Sequence, residues 1–129
     1  MDDKEVPDRR IVGSRHVLAV PELESEKRYY IDILGFVEDF PVDGWAFLSL
    51  GDFKVMLGEC PDDLPARETG CHSWFAHTLM ENVDEYYNEV DARGAKILTP
   101  IYNAPWGIRE FTVETPFGHR IMFGQRVDP

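Results

Sequence analysis

Arg15-His16-Val17-Leu18-Ala19-Val20 opens a pattern that Phe75-Ala76-His77-Thr78-Leu79-Met80 opens a second time. Each run is followed by a polar amphipathic stretch and then by a glycine stop, Leu34-Gly35-Phe36 in the first case and Arg93-Gly94-Ala95 in the second. Val20 and Met80 stand 60 positions apart, and Gly35 and Gly94 stand 59 apart. An offset kept across the length of a helix marks an internal repeat. Each half therefore reads as strand, helix, glycine stop, then further strands. The expected fold class is α+β, with two βαβββ modules building a cup-shaped mixed sheet and helices outside.

Both helices have readable ends. The second is expected from Val83 to Arg93, with Asn82 accepting from first-turn amides and Glu85 reaching back to it. Asp84 and Glu85 suit the positive end of its dipole, and Gly94 supplies the left-handed residue after the last turn. The first is expected from Leu23 to Leu34, where Leu23, Tyr30, Ile33 and Leu34 form one core-facing stripe. Trp45 to Leu50 and Phe53 to Leu57 flank Gly51-Asp52, a two-residue hairpin signal. Lys96 to Leu98, Glu110 to Glu114 and Arg120 to Phe123 supply strands to the second half.

The expected organisation is an acidic tail over residues 1–10 and a single domain over 11–129, its modules spanning about 11–59 and 73–126. Residues 60–72 are polar and rich in turn formers, and read as a connector or a lid. No apolar run approaches the roughly 20 residues that cross a bilayer. The tail lacks the basic start and apolar stretch of a signal peptide, so a cytoplasmic location is expected. Cys60 and Cys71 form neither a redox pair nor a zinc knuckle, and read as free thiols. A formal net charge of −11 argues against nucleic acid as a partner and favours cationic small molecules.

The run Val20-Pro21-Glu22-Leu23-Glu24-Ser25, then Tyr29-Tyr30, then Ile33-Leu34-Gly35-Phe36, resembles the first helix motif of the vicinal-oxygen-chelate superfamily of glyoxalases, bleomycin-resistance proteins and extradiol dioxygenases. Pro105-Trp106-Gly107-Ile108-Arg109-Glu110-Phe111, followed by Pro116-Phe117-Gly118-His119, is similar to the bleomycin-resistance branch. The resemblance implies an open cup, commonly a homodimer, and a role in antibiotic resistance. It also implies metal ligands on the first and last strands of each module, which fall here at Arg15, Leu57, Phe75 and Met122. A guanidinium, two hydrocarbons and a thioether do not suit a hard divalent ion. The expectation is a cup without metal or cofactor. A shifted ligand set of His77, Glu59 and Glu110 is the competing arrangement, and would serve a metal-dependent lyase, isomerase or dioxygenase.

Strand parity assigns the cup wall. Arg15, Val17 and Ala19 face inward with Phe53, Val55, Leu57 and Glu59, and with Phe75, His77, Leu79, Glu110, Thr112, Glu114, Arg120 and Met122. His16 should point toward a helix, while His72 and His119 should be solvated. Trp106 is expected near the mouth, and Trp45 and Phe47 at a lip or interface. The candidate ligand-binding residues are Arg15, Phe47, Leu57, Phe75, His77, Trp106, Glu110 and Met122. With no nucleophile elbow or phosphate loop present, the expected function is sequestration of a hydrophobic or cationic small molecule without catalysis.

Overall fold

The computed structural model describes residues 9–127, so most of the acidic tail lies outside the described residues. Strand β1 (His16–Val20) leads into α1 (Leu23–Arg28), which continues as a π-helical turn over Tyr29–Ile33. Strands β2 (Val37–Val42), β3 (Trp45–Leu50) and β4 (Phe53–Glu59) complete the first module. Two short 3-10 turns, Ala66–Glu68 and Gly70–Ser73, lead into the second module: β5 (Trp74–Leu79), α2 (Val83–Ala92), β6 (Lys96–Ala104), β7 (Ile108–Glu114) and β8 (Arg120–Arg126). The class is α+β, and the sheet divides into two four-stranded mixed halves ordered β1-β4-β3-β2 and β5-β8-β7-β6. In each half the first strand runs parallel to the last, and the other neighbours are antiparallel. No helix among the described residues is long and apolar enough to cross a membrane.

One core joins the modules. Leu18, Val20, Val55 and Leu57 from the first sheet cluster with Phe111, Val113, Ile121 and Phe123 from the second, and with Tyr30, Leu34, Val83, Tyr86 and Val90 from the helical segments. Hydrogen bonds cross the seam. The Tyr86 hydroxyl donates to the Leu34 carbonyl at 2.6 Å, and the Tyr29 hydroxyl donates to the Glu114 carbonyl at 3.1 Å. Burial disfavours the charged phenolate and pushes the hydroxyls of Tyr29, Tyr30 and Tyr86 upward in pKa.

Several local expectations change. The first helix shifts to π geometry at Tyr29, where the Leu34 amide reaches back five residues to the Tyr29 carbonyl at 3.1 Å. The extra residue lets Tyr30 and Leu34 stay fully buried while Tyr29 turns to the other module. Asn82 makes no side-chain cap, because its backbone is left-handed (φ 60°). Instead Gln125 of β8 accepts from the Val83 amide at 2.9 Å. Glu59 of β4 does the same for the Leu23 amide at 3.0 Å, assisted by Glu22, which accepts from the Glu24 and Ser25 amides. The last strand of each module thus supplies an acceptor to the start of its own helix. Strand β2 fills the place that the expected βαβββ plan leaves without a residue range. It is an exposed edge interrupted by a bulge between Glu38 and Phe40 and by Pro41.

The connector is tied down. The Arg67 amide and guanidinium donate to the carbonyls of Phe117 and Pro116 at 3.0 and 2.6 Å. Gly118, in the left-handed region (φ 99°), lies directly against the Arg67 backbone, where a side chain has no room. His119 is not solvated as expected. It is 7% exposed, 3.6 Å from the fully buried carboxylate of Glu26, and edge-on to Phe75.

Candidate functional site

Each sheet has one face in the common core and one turned away from it. In β1, Leu18 and Val20 are buried while Val17 is 63% exposed. Directly paired residues share a face, and Leu18 pairs with Leu57 while Val17 pairs with Met56. Phe53, Val55 and Leu57 therefore turn into the core, and Lys54, Met56 and Gly58 face outward. This reverses the expected parity of β4. The physical reason is that the more continuously apolar of the two alternating sets is the one covered by helix. Glu59, at the end of the same inner set, caps α1.

In the second sheet Phe111, Val113, Ile121 and Phe123 face the core. The outward set is His77, Glu110, Thr112, Glu114, Arg120 and Met122, linked by the pairs His77–Met122, Thr112–Met122 and Glu114–Arg120. Phe75 falls outside this set. A register shift between Trp74 and Ala76 swings its ring inward, 5.5 Å from His16 and 6.3 Å from Phe53. The structure thus places Arg15, Phe47, His77, Trp106, Glu110 and Met122 on outward faces or their rims, and sends Leu57 and Phe75 inside.

Two distinct polar centres result. On the first sheet the Arg15 guanidinium stacks 5.1 Å from the Phe47 ring centre and 5.9 Å from that of Phe40. It bonds Asp39 at 2.8 Å and the Val55 carbonyl at 3.2 Å. Ser49 donates to the other Asp39 oxygen at 2.7 Å. The Ser49 hydroxyl, then Arg15, hold the Asp39 carboxyl below its ordinary pKa. The sequence reading missed Asp39 and Ser49, because a bulge brings Asp39 into line. On the second sheet Glu110 is only 6% exposed. One of its oxygens lies 3.1 Å from His77 Nε2 and accepts a long 3.5 Å contact from Trp106 Nε1. Trp106, in the turn between β6 and β7, remains 62% exposed and stands over this pair.

Cavities flank both centres. One of about 580 Å³ runs along the seam between the modules, bordered by His16, Phe53, His77, Met80 and Phe123. Another of about 290 Å³ lies on the first outward face beneath Trp45, beside Val17, Ala19 and Gly58. A Cβ on Gly58 would come within 2.9 Å of the Trp45 ring, so the glycine is what lets the indole lie flat there. Neither cavity joins the outward faces of both sheets.

The shifted metal set does not assemble. His77 and Glu110 meet, but Glu59 belongs to the other module and bonds Leu23. Among the described residues no three His, Cys, Asp or Glu side chains gather to hold an ion. The four positions implied by resemblance fit a metal no better, because Leu57 and Phe75 are turned inward, Arg15 is a bound cation, and Met122 offers only a thioether.

Paired βαβββ modules with their sheets ordered alike define the vicinal-oxygen-chelate class of folds. The chain belongs to the Glyoxalase/Bleomycin resistance protein/Dioxygenase superfamily, whose family model matches residues 13–123. It is 29% identical over 126 aligned positions to a bleomycin resistance protein of Geobacillus stearothermophilus, covering 85% of this chain and 93% of that one. A bleomycin resistance protein of Staphylococcus aureus matches at the same 29% identity. Among solved structures, TioX from Micromonospora sp. ML1 superposes with a TM-score of 0.68 at 24% identity, over 88% of this chain and 99% of that one. A glyoxalase/bleomycin resistance protein/dioxygenase from Alicyclobacillus acidocaldarius gives 0.77 at 14% identity, over 90% and 92%. These two likenesses speak to the fold alone.

Proposed function

We propose that the protein binds and sequesters a hydrophobic, flat or cationic small molecule, of the kind the bleomycin resistance relatives are named for, and makes or breaks no bond in it. The carrying observation is the nearly buried Glu110 carboxylate, framed by His77 and Trp106 on the outward face of the second sheet, with a cavity of about 580 Å³ reaching the same His77. That volume suits a small-molecule pocket. A carboxylate withdrawn from water pairs more strongly with a cation, and an exposed indole supplies a flat face for rings. The donor types at the four family positions favour binding without a metal.

The site is read as closed by a second copy of the chain. Val17, Phe40, Trp45 and Trp106 leave apolar surface exposed around the two outward faces. A homodimer that sets one module's face against the other's would cover it. A cytoplasmic location fits the two free thiols, Cys60 and Cys71.

Titrating metal-stripped protein with metal-free bleomycin, while following Trp fluorescence, tests the reading. Saturable quenching is expected, weakened roughly tenfold or more in Glu110→Gln, which removes a charge-assisted contact, and also weakened in Trp106→Ala. A flat titration that neither variant alters removes the proposal. Stoichiometric divalent metal in protein purified without chelator, lost in His77→Ala, would replace it with a metal-dependent activity.

A further inference from the structure

The outward face of the second sheet also carries an arginine, opposite in sign to Glu110. Arg120 of β8 sits in the same row of side chains, paired across the ladder with Glu114 and alongside with Trp74. Its guanidinium carbon lies 5.3 Å from the centre of the Trp74 ring. Among the described residues the guanidinium makes no ion pair, and its Nε is shut away from solvent without a hydrogen-bond partner. The nearest candidate partner, Glu114, is engaged by Lys96 at 3.1 Å. Arginines 15 and 109, by contrast, are both held by aspartates at 2.8–3.0 Å.

A flat aromatic ring beneath a guanidinium fixes the plane of its donors without consuming any of them. A buried N–H left unpaired is costly, and such groups normally have a partner. Among the described residues no hydrogen bond or ion pair occupies the two terminal amino groups of Arg120, and these, rather than the enclosed Nε, are the oriented and uncommitted pair that can take an oxyanion in two parallel hydrogen bonds.

We infer that Arg120, seated on Trp74, is an anion subsite for the carboxylate or phosphate of a small-molecule ligand, distinct from the cation-accepting centre at Glu110. The two lie on one face. Glu110 pairs with Gly124 and Glu114 pairs with Arg120, so they are separated by four residues of strand, or about 13 Å along it at ~3.3 Å per residue. Thr112 and Met122 occupy the interval. The ligand class this defines is an elongated zwitterion, with an apolar middle, an amine at one end and an oxyanion at the other. The zwitterion rests on the reading of Glu110 given above; the anion subsite stands without it.

Four probes separate the claims by calorimetry: undecanoate, undecyl phosphate, undecylamine and ω-aminoundecanoate. Wild-type protein is expected to bind one of the two anions, the tighter naming the oxyanion, and to bind ω-aminoundecanoate more tightly than undecanoate. Arg120→Met should weaken the anions and the zwitterion by roughly tenfold or more, the loss of a bidentate charge-assisted contact, and leave undecylamine unchanged. Arg120→Lys should restore part of the binding and guards against a folding defect in Arg120→Met. Glu110→Gln should show the converse pattern, weakening undecylamine and sparing undecanoate. Failure of undecylamine alone removes the cationic reading of Glu110 and leaves the anion subsite standing. Wild-type protein that binds neither anion, or Arg120→Met that binds them as well as wild type, overturns the subsite. So does a dimer that Arg120→Met dissociates while neither anion binds, because a carboxylate of the second copy would then be the partner.

Discussion

The two modules share a backbone plan and differ in what their outward faces do with charge. In the first, Arg15 is spent within the sheet on Asp39, the Val55 carbonyl and the rings of Phe40 and Phe47. In the second, Glu110 is nearly buried against a histidine and an indole, while Arg120 has only an aromatic platform. Internal neutralisation makes a rigid apolar wall, and incomplete neutralisation leaves groups that a ligand can complete. The duplication therefore yields one face whose charges are satisfied internally and one whose charges are not, and the proposed function assigns recognition to the second. Breaking the shared features should hurt both modules alike, and outward changes in the second should alter binding more than outward changes in the first.

The largest expected effect tests which face is which. Leu57 and Phe123 are both fully buried, one in each module. Leu57→Ala should cost about 2–5 kcal/mol and Phe123→Ala about 3–5 kcal/mol, from lost burial plus the cavity left behind. Their strand neighbours Met56 and Met122 point outward, and truncation to Ala should cost only about 1 kcal/mol or less. Of the four, only Met122→Ala is expected to weaken ligand per folded molecule. Urea unfolding with a parallel ligand titration measures both quantities. A Leu57→Ala variant as stable as Met56→Ala would mean that the outward set of β4 is the one holding Leu57.

A middle-sized effect probes the likeness of the modules. Glu59 and Gln125 serve the first amides of α1 and α2 at 3.0 and 2.9 Å. Glu59→Ala and Gln125→Ala should each cost about 1 kcal/mol, the usual loss for an acceptor at a helix start. The first should cost less, because Glu22 also caps α1. Thermal unfolding of the two variants and their combination gives the comparison. A larger loss at Glu59 would mean that Glu22 does not share the capping of α1.

How far the sequence led can be traced to particular residues. The repeat, the Gly51-Asp52 hairpin and both helix positions were legible because periodicity and glycine punctuation are local signals. The parity of β4 was misread although its clue was present. Phe53, Val55 and Leu57 form the cleaner apolar alternation, and such a set is drawn to the helix-covered side. Phe75 and Asp39 were beyond reach, since a single-residue bulge moves each to a place that strict alternation denies. Glu26 and His119 escaped for another reason. They lie 91 and more residues from the chain segments they meet across the seam, and nothing local marks them as buried. His77, Trp106 and Glu110 were within reach because strand parity puts His77 and Glu110 on one face across the intervening β8, and a short turn brings Trp106 over them.

The smallest effect concerns acid. Asp39 in the first module and Asp84 in the second both have pKa values lowered from 3.8, the first mainly by Ser49 and then Arg15, the second by Arg109. A carboxyl whose pKa is lower in the folded than in the unfolded chain adds stability that is complete above the unfolded value. That contribution is lost as pH falls from there through the folded value. Both aspartates should therefore support the fold fully at neutral pH and progressively less as pH falls below about 4. Asp39→Asn and Asp84→Asn should each lower stability at pH 7 and lower it less at pH 3. The two sites differ in screening: the Asp39 side chain is 21% exposed and that of Asp84 58%. A more exposed pair contributes less and is weakened more by salt, despite the several contacts Arg109 makes with Asp84. Asp39→Asn should accordingly show the greater difference between the two pH values. Denaturant midpoints at both pH values, with and without added salt, decide the matter. A larger or more salt-resistant change in Asp84→Asn would mean that the charge network of the first outward face is no tighter than an ordinary surface pair.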